Sequence, residues 1–337
     1  MSKQRVLYLD VIRVLACLMV ITMHAPKPDA GTNPLILSSI SLLMAPCIGL
    51  FFMVSGALLL PVSLPMKEFY RKRMGKVLVP TLVWTFIYLS IRWLKEGVKI
   101  ESLLKTFFSI PFSAQGHGVL WFMYTLIGLY LIAPILSSWL RNASRREVEF
   151  ILILWSITLL YPILKTCLYI NETPTGILYS FSGYTGYFLL GYYLHHYQPR
   201  ISYIGLILLF IIPVSAAICV KVFGIEVDFY SVFWYLSIFV VMMAVSIFAS
   251  IQRLSKYFCF KSNSERALIL ASNMTFGIYL SHILFMREII WPMPFLSSCG
   301  SVCQILLITT VTYCFSSLFC RLIARFPHGE IIIGYRN

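Results

Sequence analysis

The chain has 337 residues, 59% of them hydrophobic and 12% charged, with a formal net charge of +14, and its mean hydropathy of +0.83 is far above what a soluble core needs. That composition excludes a water-soluble enzyme. The basic residues are dispersed along short segments between apolar runs, which excludes a nucleic-acid-binding patch and makes the charge a matter of membrane topology.

The first apolar run, 6–24, follows Lys3 and Arg5 as a signal peptide would. It is long, however, carries Asp10 and Arg13, and leads through Ala25-Pro26 into a loop with Lys27 and Asp29 instead of a cleavage pattern, so it reads as a retained helix. An arginine inside a spanning helix costs a few kcal/mol, so Arg13 is expected to face a polar cavity or a partner. Asp10 stands three residues earlier, on the same face, where it is expected to neutralise and orient the guanidinium. His24 follows eleven residues after Arg13; at about 100° per residue the two lie within about 20° of one face and about 16 Å apart along the axis. Spacing alone serves a second reading equally well: a structural Asp10 and Arg13 pair, and an interfacial His24 ending the helix before Pro26.

Nine more spans are expected, at 39–60, 77–94, 118–140, 148–168, 177–195, 201–222, 229–250, 266–290 and 302–325. The fold expected is therefore an all-α polytopic membrane bundle of about ten transmembrane helices, in one domain over 1–337. Of the 27 Lys and Arg residues, 18 fall on the side of the N-terminus, 8 on the other and Arg13 within the first helix, which places both termini in the cytoplasm. The loop after the second span carries Lys67, Arg71, Lys72, Arg73 and Lys76; Arg141, Arg145 and Arg146, then Arg253, Lys256 and Lys261, add to the same side. Arg92, Lys95, Lys99 and Lys105 weaken the rule on the opposite side, where 100–113 reads as an interfacial amphipathic helix. Pro46, Pro134, Pro162 and Pro213 fall inside spans, as kinks whose freed backbone groups neighbouring helices take up. The nine cysteines lie mostly in apolar runs, no spacing suggests a metal site, and Cys299 with Cys303 reads as spare thiols or a disulfide.

Several segments carry a resemblance when taken in order. Leu9-Asp10, Arg13, Ala16 and His24 resemble the opening signature of acyltransferase family 3, an arginine followed by a histidine. Phe51-Phe52-Met53-Val54-Ser55-Gly56 is similar to the family's aromatic Ser-Gly segment, and Phe69-Tyr70-Arg71-Lys72-Arg73-Met74-Gly75-Lys76 with Pro80 to its basic cytoplasmic loop. Trp121-Phe122-Met123-Tyr124 with Tyr130-Leu131-Ile132-Ala133-Pro134 resembles the fourth-helix segment, and Tyr279-Leu280-Ser281-His282 the late Tyr-Leu-x-His motif.

The resemblance implies a multi-pass acyltransferase of the bacterial inner membrane. Its donor would be an acyl-CoA, by default acetyl-CoA, and its acceptor a hydroxyl of a surface polysaccharide or its lipid-linked precursor. Under it His24 and Arg13, with Asp10, serve the chemistry. Arg71, Arg73 and Lys76 clamp the phosphates of coenzyme A, with Lys76 standing where the family commonly has a second arginine, and the pantetheine arm runs inward past Ser55 and Arg13 toward His24. Trp121, Tyr124 and His282 would form the acceptor pocket. Blander readings stand beside these: the basic loop orients the protein, Trp121 and Tyr124 belong to an interfacial belt, and His282 is a packed helix-terminal residue. His117, His195, His196 and His328 are expected in loops or at interfaces and receive no role. Membrane lipids are the expected surroundings, with neither nucleic acid nor metal; the oligomeric state and the identity of the acyl group stay open. A transporter or flippase of glycan precursors is the rival function, favoured by inverted repeats and matching broken helices, which this chain lacks.

Overall fold

A computed structural model of the chain describes residues 5–27, 32–113, 118–170, 173–258, 261–294, 296 and 299–335; Lys3, Asp29 and His117 lie outside them. Every regular element among the described residues is helical. In chain order these are α1 (Leu7–His24), α2 (Pro34–Met44), α3 (Pro46–Leu59), α4 (Met66–Glu96), α5 (Ile100–Ser109), α6 (Trp121–Leu140), α7 (Arg145–Thr158), α8 (Tyr161–Leu168), α9 (Thr185–Tyr197), α10 (Tyr203–Val222), α11 (Phe229–Val232), α12 (Ile238–Leu254), α13 (Ser262–Phe285), α14 (Ser301–Ile323) and α15 (Glu330–Ile333). Among the described residues nine helical segments are long and apolar enough to cross a membrane, so the chain is a polytopic helical membrane protein.

The span expected at 177–195 differs from the rest. Its α-helix, α9, has 13 residues, about 20 Å of rise against the roughly 30 Å of a hydrocarbon core. The segment before it carries Gly176 and Gly183, the latter with φ +90°, which ends regular helix there. Contacts nevertheless carry α9 from one end of the bundle to the other. Tyr184 packs on Trp121 at the start of α6, with ring centroids 5.4 Å apart, and His195 shares a 2.5 Å hydrogen bond with the Tyr8 hydroxyl in the first turn of α1. α9 lies in the middle of the bundle, against α3.

Two boundary differences bear on the site. The basic segment expected as a loop at 67–76 is the first part of the 31-residue α4; its Lys, Arg, Met and Glu residues favour helix, and Lys72 pairs with Glu68 one turn away at 2.7 Å. The interfacial segment at 100–113 is helical over Ile100–Ser109 and buries no residue. Its exposed Leu104, Phe108 and nearby Phe112 form the kind of surface that an interfacial helix turns to lipid.

Of the four prolines expected within spans, Pro134 and Pro213 lie inside the continuous helices α6 and α10, whereas the other two stand at helix starts. Pro46 starts α3 immediately after Ala45, and Pro162 follows the interruption between α7 and α8. There the freed Leu159 carbonyl accepts the Ile238 N–H at 3.1 Å. Cys299 and Cys303 are unbridged. Side chains such as Ile204, Ile207, Leu208 and Ile211 on α10 are exposed, an apolar surface that a bilayer covers.

Candidate functional site

One end of the bundle, away from the basic start of α4, holds a cavity of about 800 Å³. Val20, Met23 and His24 reach it from the last turns of α1, and Thr85, Tyr88 and Arg92 from the second half of α4, where spacings of three and four keep them on one face. Trp121, Tyr184, Trp234 and Tyr235 supply an aromatic wall. Trp121 lies 5.4 Å from Tyr184 and 5.5 Å from Tyr235, centroid to centroid, and the Tyr235 carbonyl is fixed by the Tyr187 hydroxyl at 2.6 Å. Rigid aromatic faces with a few polar groups between them suit a sugar ring.

His24 is half-buried at this cavity, and among the described residues its ring makes no hydrogen bond. His282 lies behind it, the two ring centroids 5.6 Å apart. His282 is fully buried and does not face the cavity, so the expected direct contact with an acceptor is replaced by contact with His24. Its Nδ1 is 2.6 Å from the Tyr279 carbonyl. A carbonyl only accepts, so Nδ1 carries the proton and Nε2 is left as an acceptor; among the described residues Nε2 has no partner. Tyr124 likewise stands outside the cavity lining, its hydroxyl hydrogen-bonded to Thr85, which does line it.

Arg13 belongs to a second polar cluster nearer the other end. Asp10 was expected to neutralise and orient Arg13; its oxygens are both taken directly by Arg5, each at 2.8 Å, and it reaches Arg13 through its charge and through Ser272, which donates to Asp10 Oδ1 at 2.5 Å. Arg5 precedes the extended N-cap Val6 and so lies outside the helix, placed to reach back to Asp10, whereas Arg13 is directed by its own turn. Arg13 donates weakly to the Ser272 hydroxyl at 3.4 Å and lies within electrostatic reach of Asp10 first, as expected, and then of Tyr130, Arg5 and Arg73. Tyr130 in turn lies close enough to Ser55 for the two hydroxyls to interact. Arg13, Ser55, Tyr130, Ser272 and Arg73 thus converge from α1, α3, α6, α13 and α4.

The basic trio divides. At about 100° per residue Arg73 and Lys76 share the face of buried Phe69, while Arg71 points about 160° away from it. All three are exposed, and of the three only Arg73 acts on Arg13.

Three aromatic rings lie across the path expected for the pantetheine arm. Phe51, Phe122 and Tyr279 form a layer between the two clusters, with centroids 5.6 Å (Phe51 to Phe122), 5.1 Å (Phe122 to Tyr279) and 6.4 Å (Phe51 to Tyr279) apart. Residue order on each helix shows the layering: Cys47 and Ile48 line the cavity, Phe51 follows, then Ser55; on α6, Trp121 lines it, Phe122 follows, then Tyr130. Among the described residues no group of three or more His, Cys, Asp or Glu side chains gathers as metal ligands would.

Sequence reasoning missed Thr85, Tyr88, Arg92, Tyr184, Trp234, Tyr235 and Arg287. The polar stripe at 85, 88 and 92 inside an apolar helix was a usable signal; Tyr184, Trp234 and Tyr235 sit in irregular segments with no periodicity to mark them.

A family model described as an acyltransferase domain, that of acyltransferase family 3, matches residues 6–321. No curated protein and no solved structure matches the chain.

Proposed function

Because the chain belongs to acyltransferase family 3, we propose that it moves an acyl group, acetyl by default, from an acyl-CoA bound at its basic end to a hydroxyl of a cell-surface polysaccharide or lipid-linked sugar held in the His24 cavity. The proposed setting is a bacterial inner membrane with the basic end cytoplasmic. The observation that supports this reading most is an aromatic-walled cavity of about 800 Å³ with a half-buried histidine in it, free of hydrogen bonds among the described residues.

The chemistry follows from the groups in place. Neutral His24 removes the acceptor hydroxyl proton as the oxygen attacks the thioester carbonyl. The C–S bond then breaks, the new ester remains on the acceptor, and the imidazolium returns its proton to the coenzyme A thiolate. His282, its Nε2 left as an acceptor beside His24, positions that ring. At the basic end Arg73 and Lys76 meet the donor phosphates, and Arg13 with Ser55 and Tyr130 lines the path of the pantetheine arm. Donor binding parts the Phe51, Phe122 and Tyr279 layer so that the thioester reaches His24.

The experiment is transfer of label from radiolabelled acetyl-CoA to a hydroxylated glycan by the purified protein in detergent. Arg73→Gln raises the donor KM by about tenfold, the loss expected for one charge-assisted phosphate contact; Arg71→Gln, on the opposite face, changes it by less than about twofold. Equal effects of the two would remove the clamp, and reproducible solute movement without acyl transfer would establish the transporter instead.

A further inference from the structure

Arg92, Glu96, Arg287 and Glu288 line the cavity, two charges of each sign, and Lys95, outside the lining, brings the local cations to three against two carboxylates. Glu96 is paired with Arg92 at 3.4 Å, and Glu288 with Lys95. Arg287 has no carboxylate within ion-pair distance among the described residues; its guanidinium lies 5.7 Å from the centre of the Trp291 ring. One uncompensated cation therefore remains at the rim.

The backbone holds that cation in place. Arg287 lies in a π turn, Met286–Ile290, that continues α13 past His282, and the Trp291 N–H closes it on the Met286 carbonyl at 2.8 Å. Such turns are rare and recur at functional sites. Trp291 is itself tied to the end of α1: its indole N–H donates to the Ala25 carbonyl, and Lys27 donates to the Trp291 carbonyl, both at 3.3 Å. The indole beneath Arg287 is thereby anchored one residue from His24. The Arg287 charge acts on both the His24 and the His282 rings.

We propose that Arg287 selects the acceptor, binding a carboxylate or phosphate oxygen on it at the cavity rim so that a nearby hydroxyl reaches His24. This rests on the acyl-transfer reading and deepens it: the acceptor is an anionic glycan, its charge lying on an acidic sugar or on the diphosphate of a lipid carrier. A planar guanidinium held over an indole at cation–π distance keeps N–H groups that form a fork matched to such oxyanions. The aromatic wall opposite packs the apolar sugar face, so ring and charge are read by different parts of one cavity.

Binding tests this without turnover. Trp121 and Trp234 in the wall report occupancy through tryptophan fluorescence of the purified protein. Three probes are titrated: a uronate-bearing trisaccharide, its carboxyl-reduced counterpart, and a short-chain polyprenyl diphosphate sugar. At least one anionic probe binds about tenfold more tightly than the neutral one, the anionic probe preferred identifies the source of the charge, Arg287→Gln abolishes the preference, and Arg287→Lys keeps part of it. Equal binding of neutral and anionic probes, or a preference that survives Arg287→Gln, overturns the proposal. Should the glutamine variant fail to fold, the lysine variant carries the test, since loss of bidentate geometry alone must weaken the preference. A protein that shows the preference but transfers no acyl group would refute the acyltransferase reading and leave the anion site standing.

Discussion

His24→Ala abolishes acyl transfer in a protein that still folds. The ring lines a cavity and makes no hydrogen bond among the described residues, so truncation strands no described partner. Loss of a general base costs about 10²–10⁴-fold in rate, which for a slow membrane enzyme means activity indistinguishable from background. Purification yield and a thermal melt like those of the wild type, with acetyl-CoA still bound at the basic end, separate loss of chemistry from loss of structure. His282→Ala is expected to lower kcat with the acceptor KM retained, because the His282 ring packs against His24 and lies outside the cavity lining. A rise in KM with kcat kept would instead return His282 to acceptor binding. Full activity in His24→Ala would remove His24 from the mechanism.

The second large effect falls on folding. α3 and α9 approach so closely that a Cβ at Gly191 would overlap the Met53 backbone, and one at Gly56 the Phe188 carbonyl. Neither neighbour is a flexible side-chain end, so the helices themselves must separate. In a membrane, where helix association depends on packing, small residues are what permits such an approach. Gly191→Ala is therefore expected at or beyond the upper end of the roughly 1–3 kcal/mol that overpacking costs, with low expression and a lowered melting temperature. Gly128→Ala on α6 provides the control: nothing lies within 4 Å of its Cβ position, and alanine is the better helix former. A Gly191→Ala protein as stable as Gly128→Ala would show that the α3 and α9 contact is looser than described.

The membrane bundle was legible because long apolar runs and the bias of Lys and Arg are global signals, insensitive to side-chain detail. α9 was misjudged for the same reason: a hydropathy window reads 177–195 as one span, but the backbone freedom of Gly183 and its neighbours shortens the helix while leaving the chain across the bundle. The placement of Arg13 and His24 on one face of α1 was also readable, since helical period fixes it. What that period cannot show is the interior packed against the face. Phe51, Phe122 and Tyr279 come from three other helices, and only their convergence divides the site in two. The Arg5 pairing with Asp10 escaped notice because it leaves the helix, where the rule of spacings three and four stops applying. Arg71 looked equivalent to Arg73 while the segment was taken for a loop; helical phase separates them.

The central claim is that a donor at the Arg73 end and an acceptor in the His24 cavity react through the bundle. Sealed vesicles of the purified, uniformly oriented protein test it directly, with labelled acetyl-CoA confined to the side of Arg73 and an anionic glycan on the side of His24. The account predicts label on the glycan as an alkali-labile ester, absent with His24→Ala. Label that appears only when both substrates share one side, or glycan that crosses the membrane unesterified, would contradict it.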